Sequence, residues 1–176
     1  MMDFSGASLL KIYPNLKEYA CVLAHNLILL LTLAFVQQAF VEMSWAMAAY
    51  DHAETHYNIL CAVPDARLLR LSAIDDRICT AFCKTFPNLD VDCVSEDDIK
   101  SKEQKELWRS FCNEFDGVVE DYNRGTLLRL DSSRGYDENN TCIVPRVQFL
   151  AIEIARNRRG LNNRIHKIDS RQCQSS

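Results

Sequence analysis

The stretch from Gly125 to Gly160 constrains the fold more tightly than any other part of the chain. Thr126 to Leu130 has the period-two pattern of a strand, and Asp131 to Asn140 is rich in Ser, Gly, Asp and Asn, as turns are. Thr141 to Val144 then reads as a second strand, antiparallel to the first. After Pro145 the alternation of Val147, Phe149 and Ala151 also fits a strand, but three signals favour a helix. Proline stands in the first turn, arginines in the last, and Gly160 just beyond.

Upstream, the patterns are helical. Met43, Met47, Tyr50, Tyr57 and Cys61 form a stripe before Pro64, and Ile74, Ile78, Cys79, Phe82 and Phe86 form another before Pro87. Ser95 with Asp98 predicts a helix cap, and Leu89 to Val94 alternates like a short strand. A long helix is predicted from Ser101 to Tyr122, ended by Gly125 as a left-handed terminator. The expected class is α+β: a mainly helical single domain with a small, largely antiparallel sheet of about three strands. The domain is expected over residues 41–163, with a polar, frayed tail over 164–176.

Residues 1–40 stand apart. Leu27 to Val36 is an uninterrupted apolar run of about ten residues, about 15 Å as helix against a hydrocarbon core of about 30 Å. Three readings stay open for it: a packed or accessory helix, a signal or anchoring segment, and a retained intron or mis-called exon. No membrane is expected unless the segment Ala20 to Phe40 is genuine and anchoring.

The net charge of −4 conceals an acidic middle and a basic end. Eleven acidic residues face four basic ones between Asp90 and Asp121, whereas Arg146 to Arg171 holds seven basic against two acidic. Basic residues are not interleaved with aromatics, which argues against nucleic acid. Most of the eight cysteines sit at small apolar positions of helical stripes, the mark of a reduced, cytoplasmic protein.

No catalytic, metal or cofactor site emerges. His52 and His56 share a helix face, but Glu54 comes one position late for a zinc-protease base, so a solvated face is expected. Glycines form no phosphate-binding cluster, and Trp45 and Trp108 read as core. What remains is a polar set, Arg129, Asp131, Arg146, Arg156, Asn157 and Arg158, with Arg159 beside it. It serves either as helix stabilisation or as a cationic rim that recognises an acidic partner.

Several longer motifs carry a resemblance. Glu42 to Met47, His52-Ala-Glu54, Trp108 to Cys112, Val119 to Asp121, Gly125 to Asp131 and Pro145 to Gly160 resemble, in order, the eukaryotic polysaccharide biosynthesis domain-containing protein 1 family. The similarity runs from about Val41 to Asn163, with Arg159 standing where the family commonly has an acidic residue. The resemblance implies a small cytosolic α+β protein without catalytic residues or cofactor. It further implies a chaperone for newly made translation elongation factor 1-alpha that acts on that factor's GTPase domain. The alternatives are a methyltransferase-like enzyme of polysaccharide modification, which needs a glycine loop this chain lacks, and a structural subunit of another complex.

Overall fold

The computed structural model describes the backbone of residues 16–166 and the side chains of residues 26–166. Residues 1–15 of the leader and 167–176 of the expected tail lie outside the described residues. The chain divides into two units, Met1–Ala46 and Met47–Ser176. Helix α1 (Leu16–Ala62) begins in the first, where it exposes every side chain from 26 to 46, including Leu27, Leu30 and Phe35. Its part from Asn26 to Ala62 is long and apolar enough to cross a membrane, with a mean hydropathy of 1.7 over an 18-residue window. A signal sequence meets the same criterion.

The second unit holds the folded core. Helix α2 (Asp75–Thr85) starts where the carboxylate of Asp75 accepts hydrogen bonds from Ser72 N and Ser72 Oγ at 2.7 and 2.8 Å. A short helix α3 (Asp97–Lys100) begins in the reciprocal cap expected of Ser95 and Asp98: Ser95 N donates to Asp98 Oδ2, and Asp98 N donates to Ser95 Oγ. Helix α4 (Lys102–Asn113) buries Trp108, Phe111 and Cys112. Strands β1 (Gly125–Arg129) and β2 (Thr141–Pro145) pair antiparallel, with Leu127 opposite Ile143. Helix α5 (Arg146–Arg158) follows at once and ends before Gly160, whose φ of 71° is the left-handed turn expected there.

The class is the α+β architecture expected, mostly helical with a small antiparallel sheet. The sheet has two strands. The predicted third, over 89–94, is reduced to a bridge between Cys93 and Asp131, flanked by Val94 N to Leu130 O and Ser132 N to Asp92 O. Helix α4 stops nine residues before Tyr122 because Gly117 (φ 68°) and Asp121 (φ 53°) take left-handed backbone. Gly125 is not a terminator; it opens β1.

The core gathers on α5, which is buried on every side from Val147 to Asn157. Against it lies an aromatic cluster: Trp108 stacks on Phe86 at 3.9 Å, and Phe82, Phe111 and Phe115 complete it. Along α1 the buried face is Ala53, His56 and Leu60, whereas Met43, Met47 and Tyr50 of the expected stripe are exposed. Trp45 is exposed too, so only Trp108 is core. Ile165 is buried against Leu60 and Ala66, so residues 163–166 form a packed helical turn where a frayed tail was expected. Of the cysteines, Cys79, Cys112 and Cys142 are buried small apolar groups, while Cys83 and Cys93 are exposed, and these five are free thiols.

Candidate functional site: a buried arginine–glutamate centre beneath an open groove

Helix α5 carries one carboxylate, Glu153, in an otherwise apolar run between Ile152 and Ile154, and it is fully buried. Two arginines reach it. Arg129 at the end of β1 donates from Nη2 to both Glu153 oxygens at 3.2 and 3.1 Å, and Arg156 Nη1 donates to Glu153 Oε1 at 2.8 Å. Arg129 continues to Ser132 O and Asn162 Oδ1, at 2.9 and 2.7 Å. Arg156 does not cap its own helix. It crosses to the carbonyls of Val91, Arg129 and Leu130 at 2.6 to 2.8 Å, which ties α5 to the sheet and to the bridge segment beside it. Asn162 closes the network by donating to Glu153 Oε2 and Asn157 Oδ1.

Burial alone would raise the Glu153 carboxyl, but the guanidiniums of Arg129 and Arg156 hold it well below the usual carboxylate range. His56 lies alongside, its Nδ1 3.0 Å from Tyr136 Oη and its Nε2 3.8 Å from Glu153 Oε2. Burial pushes its pKa down to about 4, against a smaller opposing pull from Glu153. A neutral ring accepting from the tyrosine at Nδ1 carries its proton on Nε2, turned toward the carboxylate. The expected solvated face for His52 and His56 is therefore corrected: both rings meet Phe149 edge-on, at 5.0 and 5.2 Å.

This burial carries a pH dependence. The unfolded chain takes up a proton on His56 near the ordinary value of 6.5, whereas the fold refuses it until about 4. Acid therefore favours unfolding across that window, with a loss of about 3 kcal/mol at its lower end. Glu153, depressed in the fold, adds a loss of the same sign once the unfolded carboxylate begins to protonate. Urea titrations between pH 7 and 4 are expected to show falling stability, and His56→Gln is expected to flatten the upper part of that slope. An unchanged slope in the variant would exclude His56 as its source.

The polar set picked out in the sequence thus divides. Arg129, Arg156 and Asn157 are core residues and do not line a cationic rim. Asp131 is a turn residue, its Oδ1 accepting from Ser133 N and Oγ at 2.8 and 2.6 Å. Arg158 reaches across to Asp76 on α2 in a partly exposed ion pair. Arg146 is half-buried, and Arg159 is exposed. The predicted rim loses Arg129 and Arg156 because α5 is the central helix, so that Arg156 on its last turn points into the sheet while Arg158 stays at the surface. Glu153, Tyr136 and Asn162 went unnoticed in the sequence, and His56 was read only as part of a solvated face. One signal was there: a carboxylate within an apolar run, with an arginine three residues on.

Above this centre, Tyr136 covers Arg129, whose Cζ lies 5.8 Å from the ring centroid, and forms the floor of an open groove of about 510 Å³. Tyr50, Tyr57 and Leu127 supply its walls, and Gly135 passes so close to Tyr57 that an added Cβ would sit 3.3 Å from the hydroxyl. Three carboxylates line the groove, Glu54, Asp137 and Glu138, and no basic side chain does. Among the described residues no group of three metal-ligating side chains gathers.

Fold and site together define a helix-centred α+β domain in which Arg129, Glu153 and Arg156 are internal ties beneath an open, aromatic, acid-rimmed groove. The family model described as PBDC1 protein matches residues 41–167, and the chain belongs to that family. It is 50% identical over 126 residues to Protein PBDC1 of Homo sapiens, covering 72% of this chain and 54% of that protein. It is 46% identical over 127 residues to the Protein PBDC1 homolog of Saccharomyces cerevisiae, covering 70% of this chain and 86% of the homolog. The chain therefore spans little more than half the length of the human relative. The solution NMR structure of protein yst0336 from Saccharomyces cerevisiae superposes with a TM-score of 0.67 at 44% identity, over 72% of this chain and 89% of that one. None of these relatives' names states a reaction.

Proposed function

We propose that the chain is a non-enzymatic cytoplasmic chaperone that holds newly made translation elongation factor 1-alpha through its GTPase domain. One observation carries the reading. The ionised residues that a reaction would recruit are hydrogen-bonded to one another inside the domain, while the groove above them is open, aromatic and acid-rimmed. A holder needs a rigid support and a mixed surface of moderate affinity, so that the client's own folding competes it away. The Arg129–Glu153–Arg156 ties supply the support. The rim of Glu54, Asp137 and Glu138 suits a basic client segment. The identity of the client rests on the family resemblance. In keeping with that resemblance, the family match begins at Val41, directly after the apolar run, and we read residues 20–40 as a retained intron or mis-called exon. Recovery of Leu27 to Val36 among peptides of the native protein would overturn that part.

Affinity capture from an actively translating lysate tests the function. Enrichment of newly made or GTP-free elongation factor 1-alpha is expected, and its absence from the captured material would sink the proposal.

A further inference from the structure

A second groove, of about 420 Å³, opens between α4 and the β2–α5 junction, and its chemistry is the reverse of the first. Lys100, Lys105 and Arg109 line it, and no carboxylate does. Lys100 and Arg109 lean on Glu96 and Glu106 in exposed pairs at 2.8 and 2.9 Å, which solvent leaves weak. Lys105 has no ion-pair partner among the described residues. The floor is apolar, built on Trp108, and β2 offers Ile143 at its edge, 69% exposed where its neighbours Cys142 and Val144 are buried.

Gln148 supplies the second, independent observation. It lines the groove at only 2% exposure, and its Nε2 is buried without a hydrogen-bond partner. A buried amide left unmatched is costly, and an incoming oxygen acceptor would satisfy it. Three cations, an apolar contact and one inward-lying donor together specify a ligand with carboxylates and a hydrocarbon side chain.

From this arrangement we infer that the groove of Lys105, Arg109, Ile143 and Gln148 is a docking site for an acidic peptide segment of a partner protein, one that carries an apolar residue between its carboxylates. Acidic side chains pair with Lys105 and Arg109, the apolar residue covers Ile143 and Trp108, and a backbone or carboxylate oxygen accepts from Gln148 Nε2. The site lies apart from the tyrosine groove and does not depend on which client that groove holds. It also relocates the cationic surface that the sequence suggested. Lys100, Lys105 and Arg109 on α3 and α4 line one groove, whereas the exposed Arg158 and Arg164 near the end of α5 are paired with Asp76 and Asp92.

The test is calorimetric titration of the full chain with an acetylated, amidated nonapeptide alternating glutamate and leucine. Its lysine–leucine counterpart and inorganic phosphate serve as competing probes. Saturable binding of the glutamate peptide is expected, weakened about tenfold or more by Lys105→Glu with Arg109→Glu, both exposed positions whose replacement leaves the circular dichroism unchanged. Gln148→Met is expected to weaken binding while the thermal midpoint of the free chain stays level or rises, because the unmatched amide is gone. Equal binding of the lysine peptide, or phosphate bound as tightly as the glutamate peptide, would overturn the inference. So would self-association of the chain that Ile143→Glu abolishes, since a second copy would then occupy the face. A Gln148→Met variant that loses stability but keeps full affinity would do the same, by making Gln148 merely structural.

Discussion

Glu153→Gln is expected to cost about 3–5 kcal/mol of folding stability, read as a fall in the urea midpoint with the slope of the transition retained. The substitution keeps the shape of the side chain and removes its charge, leaving Arg129 and Arg156 buried with no counter-ion. The new amide also turns donor hydrogens toward guanidinium and Asn162 donors that already need acceptors. The whole stability of a domain of this size is about 5–15 kcal/mol, so much of the population would unfold at moderate temperature. Replacing the three ions together, by Arg129→Met, Glu153→Leu and Arg156→Met, is expected to cost far less than the sum of the single changes, because no buried charge is then stranded. A Glu153→Gln variant within about 1 kcal/mol of the parent would show that the carbonyls alone satisfy the arginines. The same reasoning applies to charge reversal at Arg156. It would unfold the domain, whereas reversal of the exposed Arg158 breaks only its pair with Asp76.

Trp108→Ala is expected to cost about 3–5 kcal/mol, and Trp45→Ala less than about 0.5 kcal/mol. The two tryptophans look equivalent in the sequence, each on an apolar helical stripe. In the structure Trp108 is 3% exposed, stacks on Phe86 and donates from Nε1 to Asp98 O at 3.0 Å, whereas Trp45 is 66% exposed. Removing the first empties the centre of the aromatic cluster and frees the turn that begins α3. Removing the second empties nothing. Thermal unfolding of both variants checks the contrast, and comparable losses would contradict the burial assigned to α1.

Local chemistry was legible along the chain. Ser95 with Asp98 announces a helix start, Pro145 precedes α5, and Gly160 ends it, because each acts within one turn of backbone. The end of α4 was not legible. Phe115, Val118, Val119 and Tyr122 continue its apolar spacing, and periodicity cannot distinguish a helix from a turn packed on the same core. The site was hidden for a related reason. Alternation correctly puts Arg129 and Leu128 on opposite faces of β1, but both faces are covered, so the polar one meets Glu153 in place of water. Sequence shows which residues share a face. Whether that face is wet depends on partners 24 or more positions away, as Arg129 and Glu153 are.

In the function proposed above, the charged centre is scaffold and the tyrosine groove above it is where a client is held. Capture of newly made elongation factor 1-alpha by Tyr50→Ala with Glu138→Lys, set beside capture by the parent chain, tests it most directly. Both positions are exposed, so the variant is expected to keep its circular dichroism and unfolding midpoint while retaining less than about a tenth of the client. Undiminished capture by that folded variant would contradict the account.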